Sequence, residues 1–144
     1  EKIGFRSTAI RKFDKSLCFI PNNQFAENAV TNITKISNRR INWIIGLEYK
    51  STSIQMKSVC NEIERNILKN KKDFYVSETT PVIVKINAFA PSSIDIMVRC
   101  FASTNNYQKF IEIKDRLAIS IKEIVEKNKC SFAFPTQSLY IEKN

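Results

Sequence analysis

The stretch 41-INWIIGLEYKSTSIQMKSVCNEIERNILKN-70 decides the fold of this chain. Ile41, Trp43, Ile45, Leu47 and Tyr49 alternate with Asn42, Ile44, Gly46 and Glu48. That period of two belongs to a strand with one face in a core. Thr52 and Gln55 follow at the spacing of a capping box, in which the threonine hydroxyl and the glutamine amide satisfy two backbone N–H groups at a helix start. Met56, Val59, Cys60, Ile63 and Ile67 then recur along one helical stripe until the pattern runs out near Asn70. A strand leads directly into an amphipathic helix.

Downstream of this unit the period of two returns twice. Val82, Val84, Ile86 and Ala88 alternate after Pro81, Pro91-Ser92-Ser93 reads as a turn, and Ile94, Ile96, Val98, Cys100 and Ala102 alternate as the hairpin partner. Asn105 or Asn106 caps a second helix with Tyr107, Phe110, Ile111, Leu117, Ala118, Ile121, Ile124 and Val125 on its stripe. Glu112/Arg116 and Glu123/Lys127 stand at i,i+4 spacing on its wet side. A last strand begins near Ser131 and continues past Pro135 through Leu139 to Ile141. The sum is βαββαβ, the ferredoxin-like arrangement of a four-stranded antiparallel sheet with both helices on one face. The other face is predicted to carry Ile83, Asn87, Phe89, Asp95, Met97, Arg99 and Phe101. It is too apolar to be left in water, and Phe89, Met97 and Phe101 are its candidate interface side chains toward another domain or subunit.

Upstream, the pattern is β throughout. A strand is expected over Lys2 to Phe13, a turn at Asp14-Lys15, a strand over Ser16 to Ile20, a break at Pro21-Asn22-Asn23, a short helix or loop, and a strand near Ala29 to Thr34. So few strands cannot close a barrel, and the first residues read as the middle of a strand, so the chain is expected to be a fragment. Asn38-Arg39-Arg40 marks the boundary. The predicted class is α+β: residues 1–38 as a partial small β domain and residues 39–144 as the ferredoxin-like α/β domain.

Composition removes most chemistry. There is no histidine and there are two glycines, Gly4 and Gly46, so the chain has no imidazole base or ligand and no glycine-rich phosphate loop. Cys18, Cys60, Cys100 and Cys130 stand 30 to 42 residues apart, with no CxxC pair, and read as buried thiols in a reducing compartment. No catalytic, cofactor-binding or metal-binding residue is assigned. No run approaches the roughly 20 apolar residues of a membrane span. The net charge of +9 is denser at the front, with net +5 over residues 1–40. Nucleic acid, an anionic surface or a solvated face would each accommodate it.

Three strings together resemble the MscS (small-conductance) mechanosensitive channel family. The first is IGFRSTAIRKFDKSLCFIPNNQF, similar to the family's β-domain signature, with Arg6, Thr8, Asp14, Pro21 and Asn22 at the matching positions. The second is VTNIT followed by NRRI, with Asn32 ahead of the junction to the α/β domain. The third is FAFPTQSLYI, which looks like the closing strand of the low-conductance branch. The resemblance implies no enzyme. It implies a homo-oligomer of seven subunits, a hollow cytoplasmic cage below a pore in the bacterial inner membrane, which passes ions and small osmolytes on hypo-osmotic shock. Transmembrane helices that contact lipid would precede Glu1. Pro21 and Asn22 are expected to shape a turn, while Arg6 and Thr8 fit either a vestibule lining or a subunit contact.

Two other classes compete. The βαββαβ order is also that of an RNA-recognition module, which needs stacked aromatics on its first and third strands. Here the corresponding positions are Asn42, Ile44 and Gly46, then Met97, Arg99 and Phe101, so a single aromatic stands where two or three are wanted, and no nucleic acid partner is expected. A ferredoxin-like phosphatase would require backbone amides presented by a glycine-rich loop, and none is available.

Overall fold

The computed structural model describes residues 2–136, and the chain divides into two units, residues 1–35 and residues 36–144.

In the first unit, β1 (Lys2–Ile3), β2 (Ser7–Arg11) and β3 (Leu17–Pro21) form an antiparallel sheet in that order. The single strand expected over Lys2 to Phe13 is in fact two. Gly4 N–H donates to the Ser7 carbonyl at 2.9 Å, and a Cβ on Gly4 would lie 2.7 Å from that oxygen, so the chain folds back where it carries no side chain. The second hairpin turns at Asp14-Lys15 as expected. Lys12 N–H donates to Ser16 O at 2.9 Å, and Lys15 takes a left-handed φ of 69°. Helix α1 (Asn22–Glu27) starts directly after Pro21. No strand forms over 29–34, because that segment finds no ladder partner among the described residues. The chain there closes a 3-10 turn, Ile33–Lys35, with Lys35 N–H donating to Asn32 O at 3.4 Å. No described side chain of this unit is buried.

The second unit contains β4 (Arg39–Leu47), α2 (Ser53–Lys69), β5 (Phe74–Tyr75), β6 (Ile83–Phe89), β7 (Ile94–Ala102) and α3 (Tyr107–Lys127). Strand β7 is central: β4 pairs along one side from Arg39↔Ala102 to Leu47↔Ile94, and β6 and the short β5 pair along the other. The closing strand is represented by a bridge of Phe132 to Leu47, supported by Glu48 N–H to Ser131 O at 3.1 Å and Ala133 N–H to Gly46 O at 2.9 Å. Its expected continuation over Leu139 to Ile141 lies outside the described residues. The order closing strand, β4, β7, β6 is the ferredoxin-like one.

Helix α2 begins at the Thr52–Gln55 capping box and buries Met56, Val59, Cys60, Ile63 and Ile67 as the stripe predicted. Helix α3 is capped by Asn106, whose side chain accepts from Lys109 N–H. Its stripe is turned slightly: Ile113 joins Leu117, Ile121 and Val125 in the core, while Tyr107, Ile111 and Ala118 stay exposed. The ion pairs also differ. Arg116 reaches Asp73 at 2.7 Å and Lys127 reaches Glu62 at 2.9 Å, so both prefer partners from other elements to their expected i−4 neighbours.

The last difference lies in β6, where the register with β7 shifts between Ile86 and Ala88. Asn87 is the extra residue of the bulge, and from there on the pleat is inverted. Phe89 stands opposite Ile94, which is buried on the helix side, and no longer shares a face with Met97 and Phe101. Asn87, the extra residue, has no opposite number on β7.

Candidate functional site

Asn22 organises the first unit. Its Nδ2 donates to the carbonyls of Gly4 at 2.9 Å and Phe5 at 3.2 Å, and its Oδ1 accepts from Thr8 Oγ1 at 2.8 Å. Its backbone N–H donates to Arg6 O at 3.0 Å. One short amide thus binds the β1–β2 turn, β2 and the start of α1. Only a side chain that both donates and accepts at this reach can do so. Thr8, Pro21, Asn22 and the Arg6 backbone are brought together here. The Arg6 side chain is exposed, and Asn32 is exposed at the start of the 3-10 turn, well beyond this cluster in sequence. The sequence pointed to Pro21-Asn22 as a turn. It gave no sign of Gly4 as the acceptor, which only the split of the first strand puts within reach.

In the second unit, the sheet face away from the helices carries Arg40, Asn42, Ile44 and Gly46 from β4 opposite Phe101, Arg99, Met97 and Asp95 from β7. Met97 and Phe101 are half-buried and share this face with Ile44, which is 51% exposed. Tyr75 of β5 stands opposite Phe101. Arg99 donates from Nε to Asn42 Oδ1 at 3.1 Å, which ties β7 to β4 across this face. Ser93 Oγ donates to Asp95 Oδ1 at 2.7 Å beside Gly46, where a Cβ would lie 2.9 Å from Ser93 Cβ. Strand β4 offers no aromatic ring to this face, so bases could not be stacked across the two central strands.

The helix-side face of β4 holds a cluster the sequence did not announce. The Arg39 guanidinium lies 5.6 Å from the Tyr107 ring and 5.8 Å from that of Phe110, and its Nε donates to Asn105 O at 3.1 Å. The Lys114 amine lies 5.6 Å from both the Trp43 and Phe110 rings. Such cation–aromatic contacts hold charge against an apolar surface. An arginine opening a strand and aromatics opening a helix were the available signal, but nothing in their spacing paired them.

Cys60, Cys100 and Cys130 are buried, whereas Cys18, expected to be buried, is half-buried on β3. Burial raises the Cys60 thiol and pushes that of Cys100 up to about 12, so both remain protonated and behave as small apolar groups. Among the described residues no three His, Cys, Asp or Glu side chains stand together as a metal site, and no helix is long and apolar enough to cross a membrane.

The family model described as the mechanosensitive ion channel beta-domain matches residues 1–35, and that described as the C-terminal part of mechanosensitive ion channel MscS matches residues 41–132. An uncharacterized MscS family protein of Aquifex aeolicus is 41% identical over 99% of this chain and 38% of its own length. The low conductance mechanosensitive channel YnaI of Escherichia coli is 34% identical over 98% of this chain and 40% of its own length. The chain therefore spans well under half of these relatives. The crystal structure of closed-state MscS from Helicobacter pylori superposes with a TM-score of 0.79 at 21% identity, covering 100% of this chain and 54% of that one. A cryo-EM structure of Arabidopsis thaliana MSL1 gives 0.81 at 17% identity, covering 93% and 47%. Both share the fold. The chain belongs to the MscS family of mechanosensitive ion channels.

Proposed function

We propose that this chain is the part of a bacterial mechanosensitive channel subunit that forms the cytoplasmic vestibule of the pore. Copies assemble as a ring, seven in number. Ions and small osmolytes pass through its openings when hypo-osmotic shock stretches the inner membrane. Residues 1–38 serve as the C-terminal part of a β domain and residues 39–144 as the α/β domain. The role is one of shape and assembly, without covalent chemistry.

The observation that carries this reading is the bare sheet of the first unit. Ile3 is 83% exposed, Phe5 99% and Phe19 65%, yet no described side chain there is buried. A three-stranded sheet with no covered face is marginal in water, and exposed apolar area of this kind marks an association surface. Met97, Phe101 and Ile44 offer a second apolar patch on the open sheet face, and Phe89 a further exposed ring on the other. The net charge of +9 would concentrate anions near the ring and favours a mild anion preference.

Light scattering of the membrane-extracted parent protein tests the ring, with a heptamer expected; a monomer contradicts the reading. Patch recording of the parent under suction tests the function. Openings that follow tension are expected, and a tension-insensitive protein would leave the fold standing without the channel.

A further inference from the structure

The turn joining β2 to β3 presents Arg11, Lys12, Phe13, Asp14 and Lys15, all exposed, and Phe13 is 100% exposed at its tip. The turn is rigid. Asp14 Oδ1 accepts from Ser16 N–H at 2.9 Å and from Ser16 Oγ at 2.6 Å, and Arg11 Nη1 donates to Lys15 O at 2.9 Å. Lys12 and Ser16 close the ladder beneath it, and Lys15 N–H donates to Lys12 O at 3.0 Å. The one carboxylate of the tip is thus occupied by Ser16, and Lys12 and Lys15 flank it. The other fully exposed ring of this unit, Phe5, sits in the β1–β2 turn at the opposite end of β2, next to the Asn22 cluster.

We propose that this hairpin tip is an interfacial anchor: Phe13 enters the headgroup region of an anionic phospholipid bilayer while Lys12 and Lys15 face its phosphates. A phenylalanine presented beside basic residues buries at the headgroup–acyl boundary, and basic side chains beside an anionic leaflet are attracted to it. The hydrogen-bonded turn is already ordered, so little conformational freedom is lost on contact. A second copy of the tip is a poor partner, because identical cations would meet. One tip binds weakly, and the ring proposed above would multiply it. The inference relies on the channel reading only for the nearness of a bilayer.

The test is sedimentation of the 144-residue chain with vesicles of phosphatidylcholine alone or mixed with phosphatidylglycerol. Binding to the mixed vesicles alone is expected. The variant K12Q/K15Q should weaken it about 25-fold, from about fivefold per lysine. The charge-matched variant K71Q/K72Q, distant in the sequence, should weaken it less than about twofold. Equal losses in the two variants overturn the proposal, since net charge would then suffice. So does equal binding to both kinds of vesicle. As a direct readout, F13W in a W43F background should shift its emission to the blue on adding mixed vesicles. Emission that does not move, or that shifts with protein concentration alone, overturns the anchor and in the second case assigns the tip to self-association. The vesicle assay and suction recording fail independently: a parent blind to tension whose chain binds through the tip loses the channel and keeps the anchor.

Discussion

In the unit beginning at residue 36, β7 buries Ile94, Ile96, Val98, Cys100 and Ala102 beneath two helices; in the unit before it, β1, β2 and β3 bury nothing. Both sheets are antiparallel. The difference lies in what covers them. A ladder exchanges hydrogen bonds with water for hydrogen bonds within the chain and gains little net free energy, whereas apolar area removed from water is the dominant favourable contribution. The second unit carries its own stability. The first has a defined shape, set by Gly4 and Asn22, and no buried side chain among its described residues to add to it.

The largest effect should come from emptying the covered sheet. Ile96→Ala, at a fully buried position, should cost about 2–5 kcal/mol in urea unfolding followed by Trp43 emission. Amide exchange in residues 2–35 should stay unchanged. A smaller loss belongs to the uncovered sheet: Asn22→Ala removes the bonds to Gly4, Phe5 and Thr8 and should cost about 1–3 kcal/mol. It should appear as faster exchange at Thr8 and Ile20 with the Trp43 midpoint unmoved. If that midpoint falls as far, the units are energetically one and the contrast is broken. The smallest effect concerns Glu62, held below its ordinary value of 4.5 chiefly by the hydrogen bond from Lys127, with Asn128 adding. A lowered folded-state value means the contribution is present above 4.5 and is lost as pH falls through the folded value. Lys127 is well exposed, so Glu62→Gln should cost less than about 1 kcal/mol at neutral pH. In acid the variant and the parent should unfold together.

The α/β unit was legible because its signals are local. Period two in 41–49, the Thr52–Gln55 box and the stripe from Met56 to Ile67 depend on residues a few positions apart. What escaped depends on partners distant in sequence. The bulge at Asn87 is chosen by how β6 fits β7, and it alone moves Phe89 off the face of Met97 and Phe101. Arg116 and Lys127 select Asp73 and Glu62 from other elements over their own helical neighbours. Ile111 and Ile113 are equally apolar, and only the way α3 lies on the sheet decides which is covered. In the first unit, Pro21-Asn22 was readable as a turn, but the segment 29–34 looked like a strand because alternation says nothing about whether a neighbouring ladder exists.

Arg39 ties the first residue of β4 to the start of α3. It is the first residue of β4, reached directly from residues 36–38, and its guanidinium is gripped by two rings and the Asn105 carbonyl at the start of α3. A pull on the start of β4 would have to draw the guanidinium off both rings and off the Asn105 carbonyl as it parts Arg39 from Ala102. Such a load would fall on the central ladder and on the start of α3 together.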